Sequence, residues 1–170
     1  MEFYQLLYSS PVGDISLVSD GRGLQGIWFL HQKYYQAGLD GDILEQSDSI
    51  LAEAAVLLDD YFAGKTVDFS TLPLSSKGTD FQKRVWAYLQ EVPSGQTVTY
   101  GQIAKDLRVK SAQAVGGAVG RNPWSIIVPC HRVLGSQGQL TGYAGGLDKK
   151  IWLLEHEGVN LASSKNNRKE

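Results

Sequence analysis

The 170-residue chain has a single cysteine. Cys130 is followed directly by His131 and Arg132, a polar triplet set inside the apolar stretch Ile126-Ile127-Val128-Pro129 and Val133-Leu134. Such a stretch suits a buried strand, and a buried strand rarely tolerates His-Arg without cause. A thiol attacks only as thiolate. The economical way to produce one near neutral pH is an imidazole that takes the proton and is itself oriented by a carboxylate. His131 and Glu157 are the candidates. Neighbours on an ideal strand point to opposite faces, so this pairing requires a bridging water or a turn at Pro129. The bland alternative is a small buried hydrophobe, the commoner fate of a lone cysteine. One cysteine excludes an intrachain disulfide and a multi-thiolate zinc cluster.

These residues need elements to position them. Residues 3–8, 15–18 and 24–30 read as a small antiparallel meander, separated by Ser-Ser-Pro-Val-Gly-Asp and Asp-Gly-Arg-Gly turns. From Ser49, the positions Ile50, Leu51, Ala54, Leu57, Leu58, Tyr61 and Phe62 recur at helical spacing, with Gly64 closing a helix that covers the sheet. Turn formers at 72–78 place a boundary after residue 75. Thr79 or Asp80 caps a helix bearing Phe81, Val85, Trp86 and Leu89. Residues 100–107 and 111–121, split by Arg108-Val109-Lys110, form a helix-turn-helix pattern. The second helix is built from Ala112, Ala114, Gly116, Gly117, Ala118 and Gly120, poor helix material unless close approach of another backbone is gained. Tight packing inside the protein is one such gain, and a nucleic-acid surface is another. Asp148 caps a last helix through Ile151, Trp152, Leu153 and Leu154, and residues 163–170 read as a disordered tail.

The net charge of −2 hides an asymmetry. Residues 1–75 carry three Lys or Arg against eleven Asp or Glu, whereas 76–170 carry thirteen against seven, giving −8 and +6. The basic half can face phosphates. No basic leader with an apolar core opens the chain, and no apolar run reaches the ~18 residues of a spanning helix, so a cytoplasmic protein with no membrane partner is expected.

Pro129-Cys130-His131-Arg132-Val133, Thr141-Gly142-Tyr143-Ala144-Gly145-Gly146 and Trp152-Leu153-Leu154-Glu155-His156-Glu157-Gly158 occur in the order and spacing of the O6-alkylguanine-DNA alkyltransferases, a family this chain resembles. Gly101-Gln102-Ile103-Ala104 and Ala114-Val115-Gly116-Gly117-Ala118 add to the match. The resemblance covers residues 78–158 strongly and the N-terminal half in outline. It implies an α+β protein: a small antiparallel sheet with a covering helix, ribonuclease H-like, in residues 1–75, then a mainly α-helical, winged helix-turn-helix-like domain in 76–162. It implies irreversible, single-turnover transfer of a methyl or other alkyl group from O6-alkylguanine, and less readily from O4-alkylthymine, to Cys130. His131 and Glu157 become a water-bridged relay that favours the thiolate, and Tyr100 eases the charge on departing guanine. Asn122 becomes a hinge, the Val128 and Cys130 carbonyls candidate readers of the guanine amino group, and Tyr143 and Ala144 the lining of the base pocket. Ala112, Gln113, Ala114, Gly116 and Arg121 lie on the DNA-facing helix. The family places an arginine where Gln113 stands, and an amide lacks the charge and stacking plane of guanidinium; Arg108 and Lys110 are the nearby cations. The base must leave the stack to reach the thiol, at a cost of a few kcal/mol.

The partner implied is double-stranded DNA carrying an alkylated guanine, met by a monomer. The lesion is itself the alkyl donor, so no cofactor is expected. Some relatives hold zinc in the N-terminal half, but here His31 stands without cysteine ligands and no structural metal is expected. Two other classes compete: a lesion-binding or winged-helix regulatory protein, which needs no nucleophile, and a thiol hydrolase or redox protein, for which no resolving cysteine exists.

Overall fold

The computed structural model describes residues 2–161, so the tail expected at 163–170 lies outside the described residues. The chain divides into two compact units. The first runs through Ser76 and includes Pro123–Ser125; the second takes Lys77–Asn122 and resumes at Ile126.

In the first unit, β1 (Glu2–Ser10), β2 (Gly13–Ser19) and β3 (Leu24–Phe29) form the expected meander. A fourth strand, β4 (Asp42–Glu45), pairs in parallel with β1 and completes the order β3-β2-β1-β4. Its four mostly exposed residues carry too little alternation to signal a strand; pairing to β1 creates it. Period-two alternation splits the sheet residues between faces. Phe3, Val18 and Trp28 lie on one face, packed by Tyr35, Leu39 and Ile43. Trp28 lies over Gly26, where a Cβ would sit 2.1 Å from the indole, so only glycine fits. Ile15, Leu17, Ile27 and Phe29, all fully buried, belong to the other face. The helix α1 (Ser49–Phe62) packs on β1 and β2 and buries Leu51, Ala54 and Leu58; the Asp48 carboxylate caps it by accepting from the Leu51 N–H. The outer edge of β3 is closed by backbone bonds from Leu24 N–H to Pro73 O (2.7 Å) and Ile27 N–H to Pro123 O (2.8 Å), while the Trp124 indole donates to Leu24 O at 2.8 Å. A single boundary after residue 75 had no place for this return of Pro123–Ser125.

The second unit is mainly helical. Thr79 and Gln82 form a reciprocal capping box at the start of α2 (Asp80–Gln90), whose Val85, Trp86 and Leu89 are buried. β5 (Val98–Thr99) leads into α3 (Tyr100–Asp106), and α4 (Ala112–Gly120) follows with Ser111 as its cap. α2 braces both helices: the Trp86 indole donates to Ala118 O at 2.8 Å and the Arg84 guanidinium to Leu107 O at 2.7 Å. β6 (Val133–Leu134) pairs in parallel with β5. The last helix, α5 (Leu147–His156), starts two residues earlier than the sequence suggests. Its N-cap is Gly146, at φ +105°, and Asp148 sits in the first turn instead. Leu134, Leu140, Leu154 and Leu161 form a core beneath α5. Among the described residues no helix is long and apolar enough to cross a membrane.

Candidate active site

The stretch around the cysteine is not the strand its apolarity suggests. Pro129 starts a 3-10 turn over Cys130–Arg132, and only Val133–Leu134 is extended. The turn resolves the difficulty of neighbouring residues on opposite faces: Cys130 (6% exposed), His131 (0%) and Arg132 (8%) are all buried together. Glu157, just past the end of α5, meets them with its side chain 1% exposed. His131 Nε2 donates to Glu157 Oε2 at 2.7 Å, while the other ring nitrogen, Nδ1, is buried without a protein partner. A carboxylate on Nε2 selects the tautomer that leaves the Nδ1 lone pair as a proton acceptor.

Burial decides the protonation states. It pushes the Cys130 thiol up, against hydrogen bonds from Asn122 and Tyr143 and the charge of Lys150. Burial also pushes His131 down, although the Glu157 bond and charge oppose it. For Glu157, burial alone would raise the carboxyl, but the hydrogen bonds and charges of His131 and Arg132 hold it far below the usual carboxylate range. The resting pair is therefore a neutral thiol beside a neutral imidazole with an ionised Glu157.

Asn122 is buried, and its amide donates to Val128 O at 2.7 Å, tying the end of α4 to the approach to Cys130. That same carbonyl accepts from the Cys130 N–H at 2.8 Å. Those two bonds fix the carbonyl between the end of α4 and the cysteine turn. Tyr100, half-buried at the start of α3, has its phenol oxygen 3.2 Å from the Thr141 hydroxyl, which donates to it. Burial raises its pKa, with the Thr141 bond acting against the rise and ionisation of Cys130 adding to it. Tyr143 and Ala144 are half-buried in the loop before α5.

On α4, Ala112, Gln113, Ala114, Gly117 and Gly120 are exposed, as is Arg121 after it; Gly116 is half-covered by the Tyr100 ring. A Cβ added at Gly117 or Gly120 would meet nothing within 4 Å. Their smallness therefore serves no packing within the chain, and internal helix packing does not explain it.

Two buried cations were not singled out as site residues. Arg132 forks onto Glu157, and Lys150 donates to Val133 O (2.6 Å) and Thr141 O (3.3 Å) from a fully buried side chain. Burial pushes Lys150 down to about 8, against the pull of the Cys130 charge. The signal for Lys150 was its register: it precedes Leu153 and Leu154 by three and four residues, on the apolar stripe of α5. Among the described residues no group of three or more His, Cys, Asp or Glu could hold a metal ion.

Both parts of the chain match models of one family: "6-O-methylguanine DNA methyltransferase, ribonuclease-like domain" over residues 3–76, and its "DNA binding domain" over residues 80–159. The chain belongs to the 6-O-methylguanine DNA methyltransferase family. Among methyltransferases of this family, the methylated-DNA--protein-cysteine methyltransferase of Methanosarcina acetivorans is 45% identical over 156 residues, covering 91% of this chain and 98% of its own. That of Mycobacterium leprae is 44% identical over 156 residues, with 91% and 92% covered. The crystal structure of Mycobacterium tuberculosis OGT in complex with DNA superposes with a TM-score of 0.81 at 39% identity, covering 92% of each chain. The α+β architecture of this methyltransferase family member is thus shown by both sequence and structure.

Proposed function

We propose that the protein repairs alkylated DNA by moving a methyl or other alkyl group from O6 of guanine onto Cys130, once per molecule. The observation that carries this is the buried Cys130-His131-Glu157 cluster, in which a carboxylate orients an imidazole whose second nitrogen is left open to a proton.

The reaction balances. A water bridges the thiol to His131 Nδ1 and carries the proton across as sulfur attacks the alkyl carbon in line. The S–C bond forms, the C–O6 bond breaks, and its electron pair leaves on the purine. Tyr100 hydrogen-bonds the departing ring, which takes up a proton from solvent at nitrogen while His131 releases to solvent the one it took from the thiol, so that neutral guanine and a neutral imidazole remain. A thioether has no good leaving group and no water-labile bond, so the thiol is not regenerated. Because the resting thiol is protonated, nucleophilicity arises as the proton moves to His131. Asn122 holds the cysteine turn to α4; Tyr143 and Ala144 line the base pocket. The side of α4 that carries Ala112, Gln113, Ala114 and Gly116, with Arg121, lies against duplex DNA, where small side chains allow close approach to a narrow groove. The Val128 carbonyl, which also holds the Asn122 amide, is with the Cys130 carbonyl a reader of the guanine amino group. O4-alkylthymine is a poorer substrate, the protein acts as a monomer, and its place is the cytoplasm.

The test is incubation with an oligonucleotide duplex holding one O6-methylguanine, then intact mass and a peptide map. One methyl on the Cys130 peptide, restored guanine and a yield capped near one per protein support the proposal. Selective binding without transfer points to a lesion-sensing protein, and many turnovers to a hydrolytic thiol.

A further inference from the structure

Glu157 is not shared by His131 alone. Arg132 Nε donates to Oε1 at 2.8 Å and Nη2 to Oε2 at 3.0 Å, the same oxygen that receives the imidazole N–H at 2.7 Å. The third guanidinium nitrogen, Nη1, donates to Val92 O at 2.6 Å, just beyond α2. All the partners are buried, with side-chain exposures of 10% for Arg132, 1% for Glu157 and 0% for His131. A forked guanidinium-carboxylate pair in such surroundings fixes the plane of the carboxylate, which a point charge cannot do.

We propose that Arg132 is a positioning residue for alkyl transfer: it locks the Glu157 carboxylate under the His131 N–H and sets a buried positive charge beside the imidazole. The proposal rests on the reading above, in which Cys130 passes its proton to His131. The charges facing His131 are Glu157 just past the end of α5, Arg132 beside it in the turn, and Lys150 on α5. With Arg132 and Lys150 positive and Glu157 negative, the resting cluster carries one net positive charge. Protonation of His131 from solvent would add a second charge to a buried site. Transfer of the Cys130 proton to His131 adds none, because a thiolate forms as the imidazolium does. Arg132 thus opposes unproductive protonation of the base while leaving the productive transfer electrically neutral. The like charge of Arg132 lowers the proton affinity of His131, in the same sense.

A bland cross-link predicts something different, which makes the two separable. Single-turnover methyl transfer would be measured with saturating O6-methylguanine duplex between about pH 5 and 8, the range where imidazole titrates, for wild type, R132K, R132M and R132Q. In R132M and R132Q the charge is gone, His131 protonates more readily, and the acid limb of the rate profile moves to higher pH. R132K keeps the charge but loses the fork, so its limb stays with the wild type while its plateau falls several-fold. Rates lowered equally at every pH in all three variants, with superimposed limbs, would overturn the proposal. If the neutral variants do not fold, nitrogen-detected NMR of the wild-type imidazole decides: the neutral Nε2–H form at rest supports the proposal, and a resting imidazolium at neutral pH overturns it. A wild-type protein that leaves Cys130 unmethylated would refute the functional reading instead, before any Arg132 variant is compared.

Discussion

At the scale of the residue, the proposed reaction depends on a proton path through buried side chains. Replacing Cys130 with Ser should abolish methyl incorporation, because a protonated hydroxyl is a far weaker nucleophile than a thiol relieved of its proton; intact mass after incubation with lesion duplex reads this directly. H131Q and E157Q should each slow single-turnover transfer by about 10²–10⁴-fold, the usual share of a positioned acid-base group. A fall of less than tenfold in H131Q would mean the imidazole is not the base. Gln113 offers the opposite kind of change. Q113R adds a cation to the exposed first turn of α4 and should tighten binding to lesion duplex, with a steeper salt dependence by about one phosphate contact. Affinity measured as a function of salt checks both parts.

At the scale of the element, α4 tests whether smallness serves the fold or the ligand. Its nine residues include three glycines, each costing a helix interior roughly 0.5–1 kcal/mol relative to alanine. Since a Cβ at Gly117 meets nothing within 4 Å, G117A should raise the melting temperature by a few degrees. G117L should fold as well as the wild type yet bind DNA at least tenfold more weakly, a loss of about 1.4 kcal/mol. Unchanged DNA affinity in G117L would place the interface elsewhere. The element that was hardest to read is the cysteine turn: residues 126–134 have strand-like composition, but Pro129 breaks the extended path and Asn122 holds the Val128 carbonyl from outside the stretch. Local propensity carries no trace of that hydrogen bond. β4 was illegible for a similar reason, since its strand character comes from its partner β1.

At the scale of the whole molecule, acid is the condition that should undo the fold. His131 is held below its ordinary value near 6.5, so the unfolded chain takes up a proton that the native protein refuses, and stability falls as pH drops through that value. Glu157 is held far below its ordinary 4.5, so its stabilising ionisation is present above that pH and lost progressively beneath it. The melting temperature should decline from about pH 7 downward and more steeply below about pH 5. E157Q should flatten the lower part of the curve while starting from a lower stability; a curve parallel to wild type below pH 5 would show that Glu157 does not govern it. The charge asymmetry also belongs to this scale. A net +6 over residues 76–170 predicts DNA binding that weakens steeply with salt, despite an overall charge of −2.

The sequence by itself determined what is written in residue type and spacing. The meander, α1, the helix-turn-helix spacing and the motifs around Cys130, Tyr143 and Glu157 were legible because periodicity, turn formers and motif order are local or linear properties. Tertiary structure decided what depends on distant atoms meeting. It set the parallel strand β4, the return of Pro123–Ser125 to the edge of β3, the two hydrogen bonds onto Val128 O, and the burial that favours the neutral forms of Cys130 and His131. It also brought Arg132 and Lys150 into the site, since desolvation and hydrogen-bond geometry act across space and leave no mark on neighbouring letters of the chain.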